Sequence, residues 1–247
     1  MLKLSIITVN LNNNEGLRKT IDSVLNQTHK DFEHVIIDGG STDGSVEVIK
    51  QYKNNRLKWI SEKDHGIYNA MNKGIIKACG EYLLFINSGD FLYSDSTIEK
   101  IFKYNLIEDL IVGDLYIDYV SNKTNFIYSL MDKNIGKRFL SKNTLPHPST
   151  LIKRKFLLNL SMYDESYRIA GDYDFFVRAI TAKATIKHIP VVITVFNDMG
   201  VSRNNLDLVE NENIIIRRKY YNVFYRMSYD IIDFVVSGKN FIVKLIS

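Results

Sequence analysis

The sequence contains little cysteine, proline or glycine: one cysteine, three prolines and 13 glycines among 247 residues. The single cysteine, Cys79, excludes a disulfide framework and a cysteine-rich zinc site, and a reducing cytosol is the simplest expectation. Apolar residues make up 45% of the chain, and this composition excludes a disordered or collagen-like protein. The chain is therefore able to bury a substantial core.

Long apolar runs are also missing. No uninterrupted apolar segment approaches the ~20 residues that span a bilayer, and the amino terminus MLKLSIITVN lacks the apolar region and cleavage site of a signal peptide. We therefore expect a cytoplasmic protein, bound at most to the inner face of the membrane. The net charge of +4, from 32 basic and 28 acidic residues, is too small to indicate a nucleic-acid partner, and none is expected.

Strand-like and helix-like periods alternate over residues 1–114. The predicted strands are Leu4–Val9, Phe32–Asp38, Leu57–Ile60 and Tyr82–Ile86. The helices between them carry apolar stripes, and the first is expected to begin at a cap formed by Asn13 or Asn14. Strands that alternate with helices of about 10–15 residues predict right-handed crossovers and a mostly parallel sheet, so the fold class is α/β.

The rhythm changes in the next part of the chain. Short runs at Leu115–Val120 and Asn125–Tyr128 predict a hairpin or edge strands, which makes the central sheet mixed. We predict one continuous domain and a tail, with these bounds: 1–203 for the domain, divided into halves at 1–114 and 115–203, and 204–247 for a helical tail.

Polar clusters follow three of the predicted strands, at the edge where open parallel sheets bind ligands. They are Thr8–Asn14, Asp38–Asp43 and Asn87–Asp90. The turns lack the spacing G-x-G-x-x-G, and the chain contains no G-x-x-x-x-G-K-[ST], H-E-x-x-H or G-x-S-x-G. These absences exclude dinucleotide oxidoreductases, P-loop NTPases and two classes of hydrolase. What remains is a site built from carboxylates.

Asp38 and Asp90 come at the ends of two of these strands. Asp38 has two interpretations that its position leaves open: it accepts from the imide N–H of a uracil or from ribose hydroxyls, or it holds backbone N–H groups of its own turn. Asp90 is placed to hold a hard divalent cation that also binds two phosphates. Considered alone, however, Asp90 is more typical of a turn.

A third carboxylate, Asp172, lies in the segment Gly171–Asp174, which is expected to open a helix. The helix dipole stabilises an ionised carboxylate in a first turn by ~0.3–1 kcal/mol. Such a group is a weak proton acceptor, so it helps only when the reacting hydroxyl loses its proton late. An aspartate that merely caps the helix fits the same position. Asp174, two residues on, points away from Asp172 and is the weaker candidate.

Four stretches of the chain resemble family 2 glycosyltransferases, in the expected order over Leu2–Arg203. Two stretches resemble the nucleotide-binding half of that family: SIITVNLNNNEGLRKTIDSVLNQTHKDFEHVIIDGGSTDGS and SEKDHGIYNAMNKGIIKACGEYLLFINSGD. Its acceptor half resembles HPSTLIKRKFLLNLSMYDESYRIAGDYDFFVRA, and its closing loop resembles NDMGVSR. The resemblance implies a GT-A, Rossmann-like fold, a nucleotide-sugar donor, a divalent metal (Mn²⁺ or Mg²⁺) and inversion at the anomeric carbon.

The resemblance also implies roles for particular residues. Thr8, Asn10 and Asp38 fall where the family holds the base and ribose. Asp90 falls on the last aspartate of the metal-binding motif, and Asp172 falls on the catalytic base. The motif commonly reads Asp-x-Asp-Asp, whereas here it reads Asn-Ser-Gly-Asp. With one carboxylate left, we expect the ion to arrive with the diphosphate.

Three further residues are candidates for contacts with the acceptor or the phosphates. Lys73 is predicted to neutralise phosphate, although a lysine on a helix is more often solvated. His147 stands between two prolines, which predicts a rigid extended segment. The resemblance puts it near the acceptor, and an ordinary loop histidine is the alternative. Arg203 is expected to close over the diphosphate.

Together these observations predict an inverting glycosyltransferase that uses a nucleoside-diphosphate sugar, with uridine expected, and a glycan or lipid-linked acceptor in cell-surface polysaccharide synthesis. The alternatives are a nucleotidyltransferase and a non-catalytic nucleotide-sugar-binding or scaffolding module. In the tail, an apolar stripe begins at Ile231, after the basic and aromatic run Arg217–Tyr221. This pattern fits a helix on an anionic membrane face, and equally a helix packed on its own domain or on a second subunit.

Overall fold

The computed structural model describes residues 2–119, 124–197 and 205–221. The strands in those ranges are β1 (Leu4–Asn10), β2 (Phe32–Asp38), β3 (Leu57–Ser61), β4 (Tyr82–Phe85), β5 (Phe91–Leu92), β6 (Leu110–Tyr119), β7 (Thr124–Tyr128), β8 (Thr150–Lys153) and β9 (Ile186–Asn197). The helices are α1 (Asn14–Leu25), α2 (Ser45–Gln51), α3 (Ile67–Lys77), α4 (Thr97–Phe102), α5 (Lys137–Leu140), α6 (Arg154–Asn159), α7 (Gly171–Thr181) and α8 (Leu206–Tyr220). A 3₁₀ turn spans His147–Ser149.

The strands join in one mixed sheet with the order β3-β2-β1-β4-β8-β6-β9-β5, and β7 pairs with β6. The first four strands in that order run parallel to one another. β8 runs antiparallel to both β4 and β6, and β9 runs parallel to β6. The predicted α/β fold, with a parallel first half and a mixed second half, is confirmed.

β1 and β2 are buried along their whole length, including the polar residues that they contain. Successive side chains face opposite layers of helices: Ile6 packs with Val24 of α1, whereas Ile7 and Val35 pack with Met71 of α3. The register pairs Asn10 with Asp38 at the carboxyl ends of these strands. The parallel pairing therefore brings two of the predicted site residues side by side.

The amino-terminal side of the sheet is held by a buried carboxylate, Glu33. Its Oε1 accepts hydrogen bonds from the hydroxyl of Ser5 and the backbone N–H of Cys79, both at 2.6 Å, and its Oε2 lies 2.6 Å from Nζ of Lys58. Next to Cys79, Gly80 passes so close to β1 that a Cβ there would lie 2.5 Å from the backbone nitrogen of Ser5. These contacts set the spacing between β1 and β4.

The predicted cap of α1 agrees with the structure, whereas the predicted start of β6 does not. The cap of α1 is Asn13, whose Oδ1 accepts from the N–H of Gly16 at 3.1 Å, as predicted. The strand predicted at Leu115–Val120 begins earlier, at Leu110, because the apolar residues before it pair with both β8 and β9 and are fully buried. Residue 114 thus lies inside β6, and the two predicted halves share that strand.

The prediction of a rigid extended segment at His147 is wrong. The residue begins a 3₁₀ turn, is 7% exposed and stacks on Phe85 with ring centroids 5.0 Å apart. Its Nε2 lies 2.8 Å from the hydroxyl of Tyr163. These contacts from distant parts of the chain outweigh the local preference of the two flanking prolines.

Helix α8, in the predicted tail, packs against α7. Ile216 is fully buried, and the guanidinium of Arg217 lies 5.9 Å from the ring centroid of Tyr173. The stripe that begins at Ile231 lies outside the described residues. Across residues 2–119, 124–197 and 205–221, no helix combines the length and apolar character needed to cross a bilayer.

The close approach at Gly80 predicts a large effect of one added methyl group. Gly80→Ala should lower the free energy of unfolding by ~1–3 kcal/mol, because the two nearest atoms belong to the backbone of β1 and cannot move away as a side chain could. Gly136→Ala is the control, since a Cβ there meets nothing within 4 Å. Urea unfolding of both variants measures the difference, and equal stability would contradict this account of the contact between β1 and β4.

Candidate active site

Asp38 is fully buried at the end of β2, and both of its carboxylate oxygens are hydrogen-bonded. Oδ1 accepts from Nδ2 of Asn10 at 2.7 Å and from the hydroxyl of Ser41 at 2.6 Å. Oδ2 accepts from the N–H of Ser41 at 3.0 Å and from the hydroxyl of Ser61 at 2.6 Å. Burial raises the pKa of the Asp38 carboxyl, but these hydrogen bonds outweigh it and the pKa lies below its ordinary value.

The donors to Asp38 come from three neighbouring segments: the end of β1, the turn after β2 and the end of β3. Asp38 therefore joins these three segments at this edge of the sheet. Its contact with the N–H of Ser41 corresponds to the interpretation in which Asp38 holds its own turn. Asn10, in contrast, has an amide oxygen that is buried and accepts no hydrogen bond from the described residues. An orphaned buried oxygen of this kind calls for a donor from a ligand or water.

Thr8 is fully buried, and its hydroxyl is engaged inside the sheet. It donates to the carbonyl of Ile86 at 2.7 Å and lies 2.9 Å from Nε2 of His34. Burial lowers the pKa of His34 to about 3, so the ring stays neutral and donates its Nε2 proton to Thr8. The structure thus gives Thr8 a role in joining β1, β2 and β4, one layer below the edge where Asn10 lies.

Asp64 lies beside these candidate residues, and the sequence did not single it out. A Cβ on Gly39 would lie 2.8 Å from Oδ2 of Asp64, so this carboxylate rests against the turn after β2. Its Oδ1 lies 2.7 Å from Nζ of Lys73, which also pairs with Glu62 at 2.9 Å. Burial lowers the pKa of Lys73, but its two carboxylate partners outweigh this and the pKa is raised. Lys73 is charged, and two acids already offset its charge.

The segment Asn87–Asp90 forms a tight turn after β4. Gly89 has a φ of +106°, a backbone conformation that favours glycine, and its N–H donates to the hydroxyl of Thr20 at 3.1 Å. The same hydroxyl donates to the carbonyl of Asp90 at 2.7 Å. Helix α1 therefore holds this turn against the sheet, and Asp90 is 7% exposed.

The donor atoms of this turn fit a hard cation. Oδ1 of Asn87 is buried and has no hydrogen-bond partner among the described residues, and Asp90 supplies a carboxylate. Oxygen ligands of this type suit Mg²⁺ or Mn²⁺ when substrate phosphates complete the coordination. In the described part of the chain, no three His, Cys, Asp or Glu side chains come together as a metal site.

Asp172 lies in the first turn of α7 and is half-buried. Its Oδ1 lies 3.1 Å from the hydroxyl of Tyr68, whose single proton is shared between this oxygen and the carbonyl of Ile169 at 2.8 Å. Burial, followed by the charge of Asp172, raises the pKa of Tyr68 well above its ordinary value, so the phenol remains a donor. A Cβ on Gly171 would lie 2.8 Å from the Tyr68 ring, so only glycine allows this approach.

An aromatic cluster lies behind Asp172. Tyr68 and Tyr163 have ring centroids 5.6 Å apart, and the hydroxyl of Tyr163 meets His147. Burial lowers the pKa of His147, and the charge of Asp172 opposes that shift only in part. His147 is thus a neutral residue of the core, and it lies close enough to Asp172 for that charge to influence its pKa.

Asp174 faces the other way and is fully buried. Its Oδ2 lies 2.7 Å from Nε of Arg178, and its Oδ1 lies 3.8 Å from Nζ of Lys219. Arg178 also donates to the carbonyl of Met162 at 2.8 Å. The structure therefore uses Asp174 to lock α7 to its neighbours. Arg203, predicted to close over the diphosphate, lies outside the described residues.

Helix α3 connects the two sides of the site. Lys73 reaches Asp64 on the side of β2, and Tyr68 reaches Asp172 on the side of α7. Asn72 lies between them and exchanges hydrogen bonds with the backbone of Tyr163, at 3.0 Å and 3.1 Å. One rigid helix thus fixes Asp172 relative to the strand ends.

The chain was compared with known protein families and proteins. Residues 5–168 match the family model described as "Glycosyl transferase family 2".

The chain belongs to glycosyltransferase family 2.

The resemblance noted in the sequence is thereby confirmed. The matched residues include Asp38 and Asp90, and the match ends before Asp172.

Relatives of this family 2 glycosyltransferase include a protein of Mycobacterium bovis (strain BCG / Pasteur 1173P2) named PGL/p-HBAD biosynthesis glycosyltransferase. It is 31% identical over 210 residues, which cover 82% of this chain and 79% of that protein. An uncharacterized glycosyltransferase of Methanocaldococcus jannaschii is 31% identical over 190 residues, which cover 72% of this chain and 64% of that protein.

Solved structures share the fold. Residues 1–349 of S. aureus TarS, in complex with UDP, match with a TM-score of 0.65 and 18% identity over 89% of this chain and 67% of that one. The family 2 chain spans only 39% of a longer TarS structure. A mannosyltransferase of Pyrobaculum calidifontis, in complex with GDP-Man and Mn²⁺, matches with a TM-score of 0.65 and 14% identity over 86% of this chain and 62% of that one. The predicted GT-A fold is confirmed.

The hydrogen bonds of Asp38 predict a pH-dependent loss of stability in Asp38→Asn. The amide turns one acceptor oxygen into a donor that faces other donors, so we expect a loss of ~1–3 kcal/mol at neutral pH. Because the folded-state pKa lies below the ordinary 3.8, the carboxylate stabilises the fold above that value and its contribution disappears as the pH falls through the folded pKa.

The measurement is urea unfolding of wild type and variant at neutral pH and in acid. The gap in the free energy of unfolding should be widest at neutral pH and should narrow below pH 3.8. Asp31→Asn, at an exposed position, is the control and should show no gap. A gap that is independent of pH would contradict the assignment of these hydrogen bonds to an ionised Asp38.

Proposed function

We propose that this glycosyltransferase transfers a sugar, with inversion at the anomeric carbon, from a nucleoside-diphosphate sugar to a hydroxyl of its acceptor. The observation that carries the proposal is the position of Asp172: a half-buried carboxylate in the first turn of α7, with one oxygen bound by Tyr68 at 3.1 Å. A one-step displacement needs one positioned proton acceptor and no protein nucleophile.

In this reaction the acceptor oxygen attacks the anomeric carbon on the face opposite the diphosphate. The bond between that carbon and the phosphate oxygen breaks, and its electron pair leaves with the nucleoside diphosphate. Asp172 takes the proton of the acceptor hydroxyl. Because Tyr68 binds Oδ1 of Asp172, Oδ2 is the oxygen that we assign to the acceptor. The alternative acid in this helix, Asp174, is buried in an ion pair and is a poor candidate.

Asp90 and Asn87 are the residues that we propose to hold Mn²⁺ or Mg²⁺. When bound, the cation offsets negative charge on the departing diphosphate. The support is the donor set of the turn, one carboxylate and one buried amide oxygen with no partner among the described residues. The fold neighbour from P. calidifontis was solved with Mn²⁺ and a nucleotide sugar.

We place the nucleotide at the edge formed by Asn10, Asp38 and Asp64, with uridine as the expected nucleoside. TarS was solved with UDP and with UDP-GlcNAc, which favours uridine, whereas the mannosyltransferase was solved with GDP-Man. Among the predicted nucleotide contacts, Asn10 has the best support because its amide oxygen lacks a donor in the described structure. Thr8 and Lys73 would affect nucleotide binding indirectly, since Thr8 is bonded inside the sheet and Lys73 is paired with Asp64 and Glu62.

For the acceptor we propose a glycan or lipid-linked sugar of the cell surface, met in the cytoplasm at the inner face of the membrane. The name of the M. bovis relative assigns that protein to PGL/p-HBAD biosynthesis. A non-catalytic nucleotide-sugar-binding module is the second candidate, because the turn after β4 carries a single carboxylate. Membership of family 2 favours both the transferase and the binding module over a nucleotidyltransferase.

The donor and the reaction are tested together. Purified protein is screened against UDP- and GDP-sugars by thermal shift with and without Mn²⁺, and the sugars that bind are incubated with candidate acceptors. We expect a UDP-sugar to stabilise the protein, and NMR of the product to show the anomeric configuration inverted. A retained configuration would contradict the mechanism, and binding without transfer or hydrolysis would favour the binding module.

Asp172→Asn should abolish transfer without weakening the binding of donor or metal, because the amide keeps the shape of the side chain and cannot take a proton. A loss on the order of 10²-fold or more in turnover is expected when a general base is removed. The matched control is Asp207→Asn, the same change in the exposed first turn of α8. Turnover near that of the control would show that the base lies elsewhere.

Asp90→Asn should fail in a different way, since it removes the only carboxylate of its turn. Donor affinity in the presence of metal should fall together with turnover, and raised Mn²⁺ should restore both in part. Raised Mn²⁺ should have no effect on Asp172→Asn. The measurement is initial rate and donor affinity across a Mn²⁺ titration for both variants. An Asp90→Asn enzyme that responds to Mn²⁺ like wild type would remove Asp90 from the metal site.

A further inference from the structure

The segment that leads into α7, the helix whose first turn carries Asp172, ends at a residue with an apolar side chain. The residue at the N-cap position is Ala170, whose side chain cannot accept a hydrogen bond. Ser, Thr, Asp and Asn are preferred at this position because their side chains bind backbone N–H groups and so fix the start of the helix. Ala170 is also buried, so its own backbone N–H needs an acceptor from the protein.

Glu212 of α8 accepts hydrogen bonds from the residues that lead into α7, the last of them the N-cap residue Ala170. Oε1 of Glu212 accepts from the N–H of Arg168 at 2.8 Å. Oε2 accepts from Ile169 at 3.0 Å and from Ala170 at 2.9 Å. The side chain is 7% exposed, so three successive backbone donors surround a buried negative charge at the amino-terminal end of a helix. This is where the helix dipole favours an anion.

The segment that Glu212 holds is the one that orients Asp172. The hydroxyl of Tyr68 shares its proton between the carbonyl of Ile169 and Oδ1 of Asp172. Gly171 packs directly on the Tyr68 ring. A shift of residues 168–170 would therefore change the position of Asp172 and of the phenol that binds it.

We propose that Glu212 is a positioning residue for the transfer reaction, acting from α8 on Asp172 through the backbone of residues 168–170. The proposal rests on the proposed function, in which Asp172 takes the proton of the acceptor. In the described part of the chain, the hydrogen bonds of Glu212 go to backbone N–H groups at both of its oxygens, so it is not assigned any contact with donor or acceptor. Its effect should fall on turnover and spare the binding of the nucleotide at the far side of α3.

The contact itself is tested by hydrogen–deuterium exchange in the full chain, without substrate. Glu212→Gln keeps the size of the side chain but places an amide N–H₂ against backbone donors, so the amides of residues 168–170 should exchange faster. Glu210→Gln is the matched control, because Glu210 is an exposed residue of the same helix that reaches only Arg217 at 3.3 Å. Equal exchange in the two variants would overturn the proposal.

The positioning role is tested by kinetics with the donor and acceptor that support turnover of the wild type. We expect Glu212→Gln to lower kcat by about 10²-fold, the loss that a displacement near 1 Å of a reacting group can cause. KM for the donor and the affinity for uridine diphosphate should match those of Glu210→Gln. A variant that lost only folding stability would show the same kcat per folded molecule as the control, and that result would overturn the proposal.

A double-variant cycle shows whether Glu212 acts through Asp172. Once Asp172→Asn has removed the base, adding Glu212→Gln should lower turnover no further. Equal losses in both backgrounds would overturn the proposal while leaving the proposed base intact. Failure of the proposed function is seen separately, as an active Asp172→Asn single variant. If Glu212→Gln does not fold, Glu212→Asp, which keeps the charge but draws it back, is used for the same measurements with the same expectations.

Discussion

A carboxylate that is removed from water must be surrounded by hydrogen-bond donors, and this constraint organises the protein. Glu33 gathers donors from β1, β3 and the segment before β4. Asp38 gathers them from β1, β3 and its own turn, and Glu212 binds three consecutive backbone groups ahead of α7. In each case one acid joins segments that are distant in sequence. The strand ends and α7 are placed by these acids as much as by apolar packing.

The same constraint divides the acids of the site into two classes. Asp38 and Glu212 accept hydrogen bonds at both carboxylate oxygens, and Asp174 is paired with Arg178, so these three acids hold structure. Asp172 is half-buried with one oxygen bound by Tyr68, and Asp90 is in the same turn as Asn87, whose buried amide oxygen has no partner in the described structure. Residues that hold the fold and the candidates for chemistry thus alternate along the same strand ends and helix. This arrangement gives the candidate residues a rigid support.

The parallel half of the fold could be predicted from sequence because its signals are local. β1 and β2 are short, mostly apolar segments, and the polar residues at their ends mark the edge of the sheet where the candidate site lies. The role expected for Asp172, that of catalytic base, came from the family resemblance. Its position in the first turn of a helix fits a capping aspartate equally well. Asp64 could not be singled out from the sequence because the loop before α3 has no periodic pattern. Its closeness to the strand ends becomes visible only in the folded chain, where its carboxylate lies against Gly39. The prediction of an extended segment at His147 was wrong because aromatic stacking outweighed the local preference of the two flanking prolines.

The contact between Glu212 and residues 168–170 bears on how the chain matures. Glu212 follows Ala170 by 42 residues, so the ribosome must release much of α8 before this segment gains its acceptor. The parallel strands β1 to β4 and their turns are synthesised well before that point. In the nascent chain, the strand ends that carry Asn10 and Asp38 are therefore complete before the segment ahead of Asp172 can be fixed.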